Sequence, residues 1–281
     1  MTDVVRVGPL DRRYLLTVPP GGGAGRPVVV FLHGTGGTAE WADAETGWSA
    51  AAAEQEFVLA VPEALPPDVR KPPKFLTNPP RWNDGSTRDG DTLHTNADDV
   101  GFLRAVVVDV LARTGGDRRR VYLSGFSNGA GMAFRFAAEA AEVVAAVAPV
   151  AGHCWTPATP ARPVPTLYVV GTADPLIPLR GGPVRQPWGG KLATRPAVRA
   201  TLEVWAGKIG CGADSVVASE AGGVREEVFP GGVEFRAVFV AGLGHHWPGG
   251  QGRLDRRFGG EPAGPLDANG VIGEFFRRHT L

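Results

Sequence analysis

Apolar residues along this chain fall into short runs of two kinds, alternating and continuous. Near the N-terminus, VVRVG and YLLTVP alternate apolar with polar positions and predict an edge hairpin. PVVVFLH (27–33) is continuously apolar, the pattern of a strand covered on both faces. WSAAAAEQEF predicts a helix, and VLAVPE the next buried strand. Residues 62–96 break the pattern, with Pro62, Pro66, Pro67, Pro72, Pro73, Pro79 and Pro80 and little periodicity. A stretch this long without regular structure is often functional. Periodicity resumes at Asn96-Ala97-Asp98-Asp99, which predicts a helix through about Arg113, N-capped by Asn96 or Asp98. A strand over 121–126, a helix over 128–142, the apolar run VVAAVAPVAG and a strand over 165–171 follow. RPAVRATLEVWAGKIG predicts a helix. VREEVF and VEFRAVFVAG flank the turn Pro230-Gly231-Gly232, and a last helix runs from about 267 to 279. Strands alternating with helices predict an α/β protein with a mostly parallel central sheet and helices on both faces. No internal repeat or second core interrupts the pattern, so residues 1–281 are expected to form a single domain.

Composition narrows the function classes. The chain has 281 residues, 43% of them hydrophobic, and 29 basic residues balance 29 acidic ones. Nothing in that balance favours a nucleic acid or an anionic membrane as partner. No apolar run reaches the roughly 18 residues of a membrane span. MTDVVRVGPLDRR lacks the basic and then apolar segments of a secretory leader. The expectation is therefore a cytoplasmic protein, or a secreted one if a leader has been removed. Cys154 and Cys211 are too few for a disulfide framework or a zinc site, and two free thiols are expected.

The chemistry concentrates at VYLSGFSNGAGM, residues 121–132, where a buried strand runs into Gly-Phe-Ser-Asn-Gly and then a helix. A serine on such a turn is held in a strained conformation with its hydroxyl exposed above the sheet. Gly125 and Gly129 let strand and helix approach closely, and the helix N-terminus favours an oxyanion. Ser127 is thus a candidate nucleophile. It needs a base, and the base needs an orienting acid. In this kind of sheet the chain order is serine, acid, histidine. Asp174, in VVGTADPLIP just past the strand 165–171, is the acid candidate. His33, His94 and His153 come too early and His279 lies in the terminal helix, which leaves His245 and His246 in AGLGHHWPGG. Order does not separate these two. An oxyanion hole needs two donors: the backbone N–H of Asn128, and one from FLHGTGGT, with Thr35 first and Gly36 next. No cofactor or metal is called for.

Taken together, VVVFLHGTGGT, RWNDG, DDVGFLRAVV, VYLSGFSNGAGM, GTADPLIP and GHHWPGG resemble the polyhydroxybutyrate depolymerase and feruloyl esterase group of α/β-hydrolases, which includes the LpqC-like esterases. The resemblance spans residues 8 to 277 or so. It implies the α/β-hydrolase fold and a serine carboxylesterase acting through an acyl-enzyme, with Ser127 as nucleophile, Asp174 as acid and His245 as base. His246 then falls at a variable position. Many members are secreted, and fungal members carry several disulfides that two cysteines cannot reproduce. Only residues 153–164 separate the sixth strand from the next, so no large cap domain fits. An open site shaped by loops 62–96 and 175–194 is expected. Trp82, Trp188, Trp247 and His246 are candidates for contacting the substrate. That substrate is expected to be a small-molecule or polymer ester: short-chain, aromatic of feruloyl type, or polyester. A peptidase of the same fold and a non-catalytic binding protein that kept the fold are the alternatives.

Overall fold

In the computed structural model, residues 2–7, 10–86, 97–187, 190, 192–262 and 264–281 are described. In chain order the strands are β1 (Thr2–Val7), β2 (Leu10–Thr17), β3 (Val28–Leu32), β4 (Val58–Pro62), β5 (Val121–Phe126), β6 (Ala146–Val150), β7 (Thr166–Gly171), β8 (Gly182–Arg185), β9 (Leu192–Arg195), β10 (Val216–Ala221), β11 (Val224–Phe229) and β12 (Phe235–Val240). The helices are α1 (Ala39–Thr46), α2 (Trp48–Gln55), α3 (Asp99–Thr114), α4 (Asn128–Glu139), α5 (Val198–Lys208), α6 (Arg256–Gly259) and α7 (Ala268–Arg277). Ten strands form one sheet in the order β1-β2-β4-β3-β5-β6-β7-β12-β11-β10. From β4 to β12 every neighbouring pair is parallel, and antiparallel strands close each end.

The continuous apolar runs become central strands because both faces of the sheet are covered. In β3, Val28, Val30 and Leu32 join one buried cluster while Val29 and Phe31 join the other. The first cluster packs under α3, α4 and α5 through Phe102, Phe134 and Trp205. The second packs under α1, α2 and α7 through Ala42, Trp48 and Phe275. Fully burying one such large side chain contributes about 1.5–3 kcal/mol. Helix ends follow local chemistry. Asp98, rather than Asn96, caps α3 and accepts the Gly101 N–H at 2.8 Å; Asn96 lies outside the described residues. Gly115 closes α3 in the left-handed conformation.

Four elements were not legible in the pattern. β10 is exposed at every position, so it carries no burial signal. β8 and β9 form a separate two-stranded ribbon, which needs no apolar alternation. Helix α1 has no apolar stripe, and its start is set by the Thr38 side chain accepting the Trp41 N–H at 3.2 Å. Helix α4 stops at Glu139, short of the expected 142, where Ala140 leaves helical geometry at φ −142°. No helix lies between β6 and β7. Cys154 and Cys211 are both free thiols. Among the described residues no helix is long and apolar enough to cross a membrane.

Candidate active site

Ser127 sits between the last residue of β5 and the first of α4, at φ 56° and ψ −115°. A non-glycine residue in such a conformation costs roughly 1–3 kcal/mol and persists only where its surroundings enforce it. Here the Ser127 N–H donates to the Val150 carbonyl at 2.9 Å, and the Ser127 carbonyl accepts the N–H groups of Ala130 and Gly131 at 3.0 and 3.2 Å. The two flanking glycines make the turn possible. A Cβ on Gly129 would lie 2.3 Å from the Leu32 carbonyl oxygen, and one on Gly125 would lie 2.3 Å from that of Gly129.

Asp174 follows β7 by three residues, and its carboxylate is fully buried. Its Oδ1 accepts the backbone N–H groups of Leu176 and Ile177, both at 2.8 Å. Its Oδ2 accepts from His245 Nδ1 at 2.7 Å. His245 reaches it from the loop after β12. The His245 N–H donates to the Gly259 carbonyl at 2.6 Å, and the Ala173 N–H donates to the Leu243 carbonyl at 3.0 Å. The two loops are therefore stitched together by backbone. They touch so closely that a Cβ on Gly171 would lie 2.1 Å from the Leu243 carbonyl oxygen. His245 also packs on Phe126, ring centroids 4.7 Å apart, beside Ser127.

His246 faces elsewhere. It is buried, its Nε2 bonds the Gly260 carbonyl at 3.1 Å, and burial lowers its pKa from the usual imidazole range. The structure thus brings Asp174 to His245 and not to His246.

Two backbone donors stand near Ser127. As the first residue of α4, Asn128 has an N–H with no intrahelical acceptor. The loop after β3 offers the other. Ala64 N–H donates to His33 Nε2 at 3.1 Å, so His33 Nδ1 carries the proton and donates it to the Gly34 carbonyl at 2.7 Å. That carbonyl and the Thr35 N–H belong to one trans peptide and point in opposite directions. The Gly36 N–H, the other option in the sequence, is occupied by the Pro80 carbonyl at 2.8 Å. Gly34 is close to the serine: a Cβ there would lie 3.2 Å from Ser127 Cβ.

Ser127, Thr35 and His245 border a cavity of about 290 Å³. Its other walls include Trp41, Phe75, Leu176, Leu254 and Phe258. The rings of Phe75 and Phe258 lie 6.3 Å apart. Phe75 and Leu176 come from the two loops expected to shape the site, whereas Trp41, Leu254 and Phe258 were not foreseen, the last two lying before and in a four-residue helix without periodicity.

The tryptophans nominated as substrate contacts need correcting. Trp82 is 2% exposed and packs against Phe102, with its Nε1–H on the His33 carbonyl at 2.9 Å. Trp247 is 1% exposed, in T-shaped contact with Phe31, and its Nε1–H meets Asn269 Oδ1 at 3.0 Å. Both are core residues, as is His246. Each ring fills space beneath the loops, and each tryptophan has its indole N–H satisfied there, which removes them from the cavity wall. Trp188 lies outside the described residues.

Behind the serine, a polar framework holds the loop containing Trp82. The Asn128 side chain accepts the Trp82 N–H at 2.7 Å and donates to Asp84 Oδ2 at 2.7 Å. Asp99 accepts the Asn83 N–H and pairs with the buried Arg12, both at 2.6 Å. The acidic pair Asp98-Asp99 thus divides into one helix cap and one loop anchor.

Comparison with known proteins places the chain in a family of esterases. Residues 12–173 match the family Esterase PHB depolymerase. The chain is 34% identical over 262 residues to "Putative esterase NocK" of Nocardia uniformis subsp. tsuyamanensis, covering 85% of this chain and 71% of that protein. Feruloyl esterase B of Piromyces equi is 35% identical over 127 residues, which is 42% of this chain and 23% of that one. Among solved structures, the acetyl xylan esterase of Aspergillus awamori superposes with a TM-score of 0.61 at 16% identity, covering 92% of this chain and 98% of its own. Esterase PE8 superposes at 0.53 and 19% identity, covering 94% and 98%. These superpositions identify the fold as that of the α/β-hydrolases.

Proposed function

The chain belongs to the Esterase PHB depolymerase family and is a carboxylic ester hydrolase, and we propose that it works through Ser127, His245 and Asp174 by way of an acyl-enzyme. The observation that carries the proposal is the buried 2.7 Å contact between His245 Nδ1 and Asp174 Oδ2, with His245 and Ser127 bordering one cavity. A carboxylate oxygen has no proton to give, so Nδ1 donates and Nε2 is left free to accept. Nε2 takes the proton of the Ser127 hydroxyl as its oxygen attacks the ester carbonyl. The negative charge that develops on the carbonyl oxygen is met by the N–H groups of Thr35 and Asn128. One such donor is typically worth about 3 kcal/mol of transition-state stabilisation. His245 then returns the proton to the departing alcohol, and a water activated in the same way releases the acid. The strained backbone at Ser127 keeps the oxygen aimed into the cavity throughout.

The preferred ester has a compact apolar or aromatic group that fits among Trp41, Phe75, Leu254 and Phe258. Leu76, half exposed beside them, extends the apolar surface outward and suits esters attached to a larger body, including polyesters. The partial likeness to a feruloyl esterase is a reason to include aromatic esters in the test. Residues 1–281 are proposed to act as one domain, since all three side chains hang from the same sheet. Replacing Ser127 with Ala should abolish hydrolysis of 4-nitrophenyl acetate and labelling by a fluorophosphonate, with the urea unfolding midpoint retained. A folded Ser127→Ala protein with near wild-type activity would overturn the assignment. Labelling of the wild type also separates this reading from a binding protein that kept the fold.

A further inference from the structure

A second, smaller cavity also borders Ser127, and the two differ in what surrounds them. The larger, of about 290 Å³, is bordered by His245, Phe75, Leu254 and Phe258. The smaller, of about 30 Å³, is bordered by Asn128, His153, Ile177, Val184 and Gln186, and not by His245. Thr35, Ser127, Leu176 and Pro187 border both, so the cavities adjoin at the serine.

The tetrahedral intermediate has four substituents on one carbon. One is the Ser127 oxygen. Another is the oxyanion, held by the Thr35 and Asn128 N–H groups. The remaining two, the leaving oxygen and the acyl chain, must point to different places. The leaving oxygen has to receive its proton from His245 Nε2, so the alcohol occupies the cavity that His245 borders. From this we propose that the large apolar cavity is the alcohol subsite and the small one the acyl subsite, which makes the enzyme selective for short acyl groups on bulky apolar alcohols. The inference rests on the triad assigned above and decides which way round the ester lies.

The chemistry balances on that orientation. The Ser127 oxygen bonds to the carbonyl carbon as its proton passes to Nε2. The bond from that carbon to the alcohol oxygen then breaks as the same proton passes to the oxygen. A neutral alcohol leaves through the large cavity and a short acyl group remains in the small one. Size sets the acyl limit. A single water needs about 10–15 Å³ measured in this way, so the small cavity takes about two or three heavy atoms beyond the carbonyl carbon. Val184 is buried in its wall, and Asp84, His153 and Gln186 give it polar edges that a long alkyl chain would have to desolvate.

The test uses benzyl acetate and methyl phenylacetate, isomers that differ in the direction of the ester. Wild-type kcat/KM should be higher for benzyl acetate by at least about tenfold. Equal values or the opposite preference would overturn the orientation. Val184→Ala should raise the ratio of activity on benzyl butyrate to benzyl acetate, while Phe258→Ala should leave that ratio and shift the ratio of benzyl to methyl acetate. An acyl-length ratio that moves with Phe258→Ala instead would overturn it as well. Should Val184→Ala fail to fold, Gln186→Phe, at a half-buried edge of the small cavity, should reject propionate before acetate, and unchanged acyl preference in that variant would count against the proposal. Failure of the triad would look different: Ser127→Ala would keep activity on both isomers, whichever one the wild type prefers.

Discussion

Asp174→Asn changes one atom at the centre of the proposed mechanism, and the structure dictates how the new amide must sit. The carboxylate Oδ1 accepts two backbone N–H groups at 2.8 Å and Oδ2 accepts from His245 at 2.7 Å. An amide supplies one acceptor and one donor group in place of two acceptors. If its NH₂ faced the backbone, two buried N–H donors would lose their acceptor, at about 1–3 kcal/mol each. The amide oxygen therefore stays on Leu176 and Ile177, and its NH₂ confronts His245 Nδ1. The imidazole must then place its proton on Nε2, where it blocks acceptance of the Ser127 proton. Loss of the right tautomer in an analogous serine protease costs about 10⁴ in kcat, equivalent to about 5.4 kcal/mol. The expected result with 4-nitrophenyl acetate is a kcat lower by about that factor and little change in KM. Urea unfolding should give a stability within about 1 kcal/mol of wild type, because the backbone bonds to Oδ1 survive. A stable variant within about tenfold of wild-type kcat would refute the reasoning, since it would mean that Asp174 does not set the tautomer of the base.

His245→Ala should lose several orders of magnitude in kcat, while His246→Ala, which loses a bond to the Gly260 carbonyl, should lose far less; the reverse order would move the base by one residue. Asp99→Ala should destabilise the fold by about 3–5 kcal/mol by stranding the buried Arg12 guanidinium, and an unchanged urea midpoint would show that the pair contributes nothing. Stability should also fall with acid. Burial, the largest cause in each case, pulls the imidazoles of His33, His246 and His279 below their ordinary range. The unfolded chain takes up protons near pH 6.5 where the folded chain does not, so stability is fully present above that pH and declines as pH drops through it. A urea midpoint that holds or rises between about pH 7.5 and 5.5 would contradict this sign.

The sequence by itself determined the parallel core and a short list of candidate catalytic residues. Continuous runs such as VVVFL and VLAVP have to be covered on both faces wherever they lie, so they read as central strands without knowledge of their neighbours. The serine turn was equally legible as a Gly-x-Ser-x-Gly pattern between a strand and a helix, although the reason for glycine at 129 is the approach of the Leu32 carbonyl from distant β3. A place just past the strand 165–171 then singled out Asp174 as the acid candidate, and order along the chain left two adjacent histidines as candidate bases. Order left those two unseparated, and only the resemblance carried by GHHWPGG pointed to His245. What separates them is the position of the Gly259 and Gly260 carbonyls, which fix how the loop after β12 turns against Asp174. For the second oxyanion donor the sequence put Thr35 ahead of Gly36, and the contact that occupies the Gly36 N–H comes from the Pro80 carbonyl, 44 residues along the chain. Trp82 and Trp247 looked like substrate walls because aromatic rings near a reactive loop can serve equally as wall or as core. Only the burial around them decides, and here it makes them core. The actual walls, Trp41, Phe75, Leu254 and Phe258, come from segments with no shared period, and they converge because the loops after β3, β4 and β12 all end on the same rim of the sheet. Periodicity reports which side of a strand or helix faces the interior. It holds no record of where separate loops meet, and the division of this site into a large cavity and a small one is set at those meetings.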